Sequence, residues 1–169
     1  VAFEIPENLH PDCGPVAWLL GTWRGNGHGD YPTIDGFQFG QELIFTHDGR
    51  PFFHYFSRSW IVDEKGELVR NAALETGFLR CQPGDEPGEA KVELVLAHNT
   101  GFAEIWYGQA AGGKLEIATD AVARTETAKT YAGGKRLYGN VEGDLLYAFD
   151  MAAMDQALQP HLWARLQRA

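Results

Sequence analysis

The sequence predicts an all-β fold: about ten antiparallel strands, running up and down and closed into a barrel behind a short N-terminal helical turn. Three observations carry this expectation. Apolar residues recur with period two along much of the chain. Turn residues interrupt that pattern at intervals too short for helical crossovers, so neighbouring strands should be antiparallel. In residues 21–34, a tryptophan sits among closely spaced glycines and an aromatic-proline pair follows. A large ring can plug one end of a barrel while glycines let the backbone bend and approach closely.

The elements follow in chain order. Gly14-Pro15-Val16-Ala17-Trp18-Leu19-Leu20 predicts a turn or two of helix ahead of the first strand. The segment Gly21-Thr22-Trp23-Arg24-Gly25-Asn26-Gly27-His28-Gly29-Asp30-Tyr31-Pro32-Thr33-Ile34 reads as a flexible strand with Trp23 as the plug. Residues 41–47, 91–98, 102–109, 115–119 and 145–151 read as further strands. In the second of these, Val92, Leu94 and Leu96 face one way and Lys91 and Glu93 the other. Asp48-Gly49, Lys65-Gly66, Asn99-Thr100-Gly101, Gly112-Gly113 and Glu142-Gly143-Asp144 supply the turns, and residues 82–90 a polar hairpin loop. With no repeat, linker or low-complexity segment, residues 1–169 read as a single domain.

Composition narrows the function. A hydrophobic share of 44% with 12% aromatics is that of a folded globule. The net charge of −9, without any basic run, argues against nucleic acid as a partner. No apolar run approaches the roughly 20 residues that cross a bilayer as a helix. Val1-Ala2-Phe3-Glu4-Ile5-Pro6 lacks the basic start and apolar centre of a signal peptide, which leaves open a leader already removed. Cys13 and Cys81 form no zinc pattern and read as two reduced thiols in a cytoplasmic protein, with a disulfide as the alternative. Aromatic residues near the strand ends would suit a barrel that pairs with itself.

Few residues suggest chemistry by themselves. The glycine-rich segment is not a phosphate cradle, because no Gly-Lys-Ser/Thr follows it and the next segment reads as strand. His10, His28 and His47 sit in turn-like surroundings, and packing accounts for His54 among Phe52, Phe53, Tyr55 and Phe56. His98 shares the apolar face of Val92, Leu94 and Leu96, so it needs either a buried partner or a ligand in the cavity. His161 follows Pro160, and in a regular strand it would point away from the face of Leu162, Ala164 and Leu166. Only a backbone irregularity at the proline would turn it inward. Glu75 and Glu104 have no partner at a diagnostic spacing, while carboxylates 142, 144 and 150 read as a solvated rim.

Several ordered motifs nevertheless resemble one family. Gly21-x-Trp23-x-Gly25-x-Gly27 followed by Tyr31-Pro32-Thr33-Ile34 looks like the nitrobindin signature. The similarity continues through Gly49-Arg50-Pro51-Phe52, Glu75-Thr76-Gly77-Phe78-Leu79-Arg80, Val95-Leu96-Ala97-His98-Asn99-Thr100-Gly101, Thr127-Ala128-Lys129 and Leu158-Gln159-Pro160-His161-Leu162. The resemblance implies a calycin-type barrel, related to fatty-acid-binding proteins, that holds haem b at its mouth. His161 would be the axial iron ligand, and Thr33 and Lys129 would lie beside the haem with Lys129 meeting a propionate. Close to that histidine, Met151-Ala152-Ala153-Met154-Asp155 replaces a stretch that is small or Thr-rich in relatives, and would press thioethers towards the porphyrin. His98 would point into the cavity as a distal residue. The implied activity is isomerisation of peroxynitrite to nitrate on ferric haem, with nitric oxide as a second ligand. One departure stands out: Ala73, preceded by Ala72, replaces a histidine common in relatives, which implies a less polar and roomier distal wall. Two rivals are a non-catalytic carrier of an apolar molecule and a haem-based sensor.

Overall fold

The computed structural model describes residues 2–169; Val1 lies outside the described residues. Ten strands form a closed antiparallel barrel: β1 (Gly21–Tyr31), β2 (Ile34–Thr46), β3 (Phe52–Val62), β4 (Leu68–Pro83), β5 (Ala90–His98), β6 (Phe102–Ala111), β7 (Lys114–Arg124), β8 (Tyr131–Val141), β9 (Asp144–Ala153) and β10 (Gln159–Arg168). Each strand pairs with the next, and β10 returns to β1, so no free sheet edge runs the length of the barrel. The expected alternation is plain in β5, where Val92, Leu94 and Leu96 are buried between exposed or half-buried neighbours. The N-terminal helical turn begins earlier than expected and is a 3₁₀ helix, Pro11–Leu19. Pro15 inside it has no N–H to contribute to an α-helical ladder.

This helix closes one end of the barrel. Trp23 is fully buried there and its indole Nε1 donates to the Leu19 carbonyl at 2.9 Å. Arg168, at the end of β10, stacks its guanidinium 4.1 Å from the Trp23 ring centre and donates to the carbonyls of Trp18 and Leu20, both at 2.6 Å. The motif tryptophan thus pins the plug to both the first and the last strand. Gly27 is needed for a related reason: a side chain there would collide with the Phe39 ring and the β10 backbone at Trp163. Cys13 on the helix and Cys81 on β4 are both buried and free.

The opposite end is less regular, and its irregularities build the site. Neither ladder of β1 pairs Asp30, because the register with β2 shifts between Gly29 and Tyr31 and that with β10 ends at Gly29. Across from it, β10 shifts register against β9 between Pro160 and Leu162, leaving His161 as the extra residue of a β-bulge. The β7–β8 ladder spans only 114–118 against 135–139, so the wall splays above it. There Thr119 Oγ1 accepts the Gly134 N–H at 3.0 Å and bridges the gap.

Candidate functional site

The bulge at His161 resolves the parity conflict in β10. Ala164 and Leu166 are buried as the alternation requires, yet the extra residue behind Pro160 also turns His161 inward. Its ring meets three aromatic side chains: Tyr31 at 5.4 Å, Phe149 at 5.8 Å and Phe37 at 6.3 Å between centres. Its Nδ1 lies 2.9 Å from the Asp30 carbonyl oxygen. A carbonyl can only accept, so Nδ1 carries the hydrogen and, in the neutral ring, the lone pair sits on Nε2. Asp30 can offer this oxygen because the opposing bulge keeps the residue out of both ladders. Nε2 has no hydrogen-bond partner among the described residues and is open to solvent at the mouth. Burial lowers the His161 pKa below the ordinary histidine value, the Asp30 carbonyl opposes that, and the charge of Lys129 lowers it further. The ring is therefore held in one orientation by surroundings that favour its neutral form, with Nε2 as the position of the lone pair.

Tyr31 holds the surrounding strands in place. It is buried, and its hydroxyl accepts the Ala153 N–H at 3.0 Å while facing the carbonyls of Met151 and Ala153 at 3.1 and 3.2 Å. The end of β1 is thereby tied across the mouth to the end of β9. Met151 is half-buried and pairs with Gln159, two residues before the histidine. Lys129 is exposed on the β7–β8 connection, with its charge felt at His161. Thr33 is exposed in the two-residue β1–β2 turn. His161, Met151, Lys129 and Thr33 therefore all belong to one end of the barrel.

His98 lies deeper. Its side chain is buried, Nε2 donates to Glu104 at 2.8 Å, and Nδ1 faces Glu75 at 3.4 Å. Phe102 stacks on the ring at 4.1 Å. The buried-partner alternative is met, and neither nitrogen is left free for a ligand. Glu75 and Glu104, which showed no partner in the sequence, are members of the same buried polar floor. Arg136 donates to Glu75 at 2.6 and 3.1 Å, and Tyr55 donates to it at 2.5 Å. Glu104 also accepts from the Trp106 indole at 3.1 Å. Burial alone would raise the Glu75 pKa, but the charge and hydrogen bonds of Arg136, with His98 and Tyr55, bring it down to about 2. Arg136 lies 4.9 Å from the Phe149 ring centre, so the floor touches the wall behind His161.

At the mouth end of β4, Ala72 and Ala73 together oppose Ser59, whose hydroxyl is tied to the Ala73 backbone. No imidazole stands there. Sequence reasoning also passed over Asp30, Phe37 and Phe149 as site residues, because their part depends on bulges and cross-barrel packing. Tyr31 stood in the quoted motif, and its role could have been sought there.

A lone imidazole cannot hold a bare metal ion, and among the described residues no group of three or more histidine, cysteine, aspartate or glutamate side chains is arranged to hold one. The donor set fits a metal that brings its own macrocycle: one free Nε2, apolar ring walls, a splayed rim and a cation beside it. Comparison with known proteins agrees. Residues 12–168 match the family described as THAP4-like, heme-binding beta-barrel domain. The chain is 76% identical over 166 residues to a "Peroxynitrite isomerase" of Nocardioides sp., covering 98% of each chain. It is 44% identical over 168 residues to a "Ferric nitrobindin-like protein" of Cutibacterium acnes, covering 99% of each. The crystal structure of Rv2717c from M. tuberculosis superposes with a TM-score of 0.80 at 36% identity, over 95% of this chain and 99% of that one. The opposed bulges that present a single imidazole at an open barrel mouth are thus set in a chain that belongs to the THAP4-like, haem-binding β-barrel family.

Proposed function

We propose that this chain binds haem b at the barrel mouth through His161 and isomerises peroxynitrite to nitrate, with nitric oxide as a second ligand. The observation that carries the reading is the His161 ring, anchored at Nδ1 by the Asp30 carbonyl and free at Nε2. The activity named for the Nocardioides relative supports the same reading. When bound through His161, ferric haem would supply a Lewis acid for an anionic ligand.

The chain's own residues do the rest. The Nδ1–H bond fixes the tautomer and orientation of His161, the second-sphere role that tunes an axial imidazole. Tyr31, Phe37 and Phe149 exclude water from its flanks. The Lys129 ammonium suits a propionate at the rim, and Thr33 offers a hydroxyl donor there. Met151 packs its thioether beside the same end of β9. Isomerisation rearranges the atoms of one anion and needs no net proton donor. His98 acts through the floor, as a partner of Glu75 and Glu104.

Among the described residues no helix is long and apolar enough to cross a membrane. The two free thiols fit a reducing compartment, and on that ground we assign the chain to the cytoplasm. A carrier function has no comparable support, since the inward side chains include Trp106, Phe149 and the charged pair Glu75–Arg136.

Absorption spectra of haem-reconstituted wild type and His161→Ala test the assignment. The variant is expected to lose or shift its Soret band and to retain haem at least about 10-fold less tightly. Identical spectra would remove His161 as the ligand. Stopped-flow decay of peroxynitrite should be accelerated by ferric wild type and slowed more by His161→Ala than by His98→Ala. Decay unchanged by haem-loaded wild type would refute the isomerase activity.

A further inference from the structure

The buried floor has the composition of a receptor for a carboxylate. Arg136 is buried, presents two N–H groups to one carboxylate, and lies 4.8 Å over the Trp106 ring. The Tyr55 hydroxyl donates to the same carboxylate, Tyr138 accepts from Arg136 at 3.1 Å, and His98 faces it from the other side. Paired N–H groups, a phenol and an imidazole around one anion are what recognition of a small carboxylate requires. Here that carboxylate is the chain's own Glu75, reaching in from β4. The cradle also has a donor to spare, because Arg136 Nε is buried without a partner among the described residues.

We propose that the barrel floor is a carboxylate-binding site filled from within, and that Glu75 is the residue that keeps external carboxylates out of it. A barrel with a buried guanidinium would otherwise draw an anionic ligand, since an unpaired buried charge is strongly unfavourable. Glu75 satisfies that charge internally and leaves the mouth as the ligand end. The inference concerns the floor alone and stands apart from the identity of the iron ligand.

Replacing Glu75 by Ala removes a CH₂–COO⁻ group, the fragment that acetate would restore. Thermal melts of the full chain, with and without haem, should compare wild type, Glu75→Ala and Glu75→Gln in sodium acetate and in sodium chloride at equal ionic strength. Glu75→Ala is expected to melt about 10 °C below wild type in chloride, as follows from stranding a buried charge in a domain of this size. Acetate at ligand-saturating concentration should recover about half of that loss. Wild type and Glu75→Gln, whose cradles are filled, should melt alike in the two salts. If Glu75→Ala does not fold in chloride, the yield of folded protein on refolding in acetate becomes the readout, with recovery expected. An acetate effect equal in all three proteins, or absent from Glu75→Ala in both melt and refolding, would overturn the proposal. So would a Glu75→Ala protein that melts like wild type in chloride.

Discussion

At His161 two hydrogen-bonding positions have been given different tasks. Nδ1 is committed to the backbone of β1, and Nε2 has no partner among the described residues. Its environment favours the neutral ring, first through burial and then through the Lys129 charge. A histidine whose folded pKa lies below its unfolded value binds protons more readily when unfolded. Its neutral form therefore favours the fold above the ordinary histidine range, and that advantage is lost as pH falls through it. Removing the cation should raise the folded value. In haem-free protein, the His161 ring titration followed by NMR should move to higher pH in Lys129→Ala and stay near wild type in Lys129→Arg. A midpoint unmoved by Lys129→Ala would show that this charge does not reach the ring.

At the scale of the strands, the site depends on two departures from regular pairing. A bulge in β10 turns the histidine inward, and the opposing irregularity in β1 frees the carbonyl that holds it. Neither works unless the strand ends stay in register across the mouth, and Tyr31 provides the tie through its hydroxyl to Ala153 and Met151. Tyr31→Phe keeps the ring against His161 but strands the buried Ala153 N–H. The expected cost is about 1–2 kcal/mol in a denaturant melt, with faster amide exchange at Ala153. Haem should also dissociate faster from this variant. Wild-type exchange at Ala153 would mean that the tie is not what holds the mouth.

For the whole molecule, the barrel divides into three levels: a plug at one end, a charged floor and an open mouth. The plug is assembled from local aromatic and carbonyl contacts around Trp23 and Arg168. The floor gathers β4, β5, β6 and β8 through Glu75, His98, Glu104 and Arg136. Its acid sensitivity follows from Glu75, whose carboxyl is held down to about 2 from an ordinary value of 4.5. Because the folded value is the lower one, the stabilisation is present above pH 4.5 and is lost as pH falls toward about 2. Wild type should accordingly lose melting temperature across this interval more steeply than Glu75→Gln. Parallel curves for the two proteins would assign the acid loss to other carboxylates.

The amino-acid order by itself determined the strand architecture, the plug and the motif. Period-two alternation and closely spaced turns are local properties, so β5 and the 142–144 turn could be read directly from neighbouring residues. Trp23 among glycines could be read as a barrel end for the same reason. The inward turn of His161 could not, because parity along a regular strand sends it outward and only pairing with β9 and β1 creates the bulge. Resemblance to a family singled out this histidine where the periodicity opposed it. The floor was likewise hidden: Glu75 and Arg136 lie far apart in the chain, and a carboxylate and a guanidinium acquire a shared, water-poor environment only when the barrel closes around them.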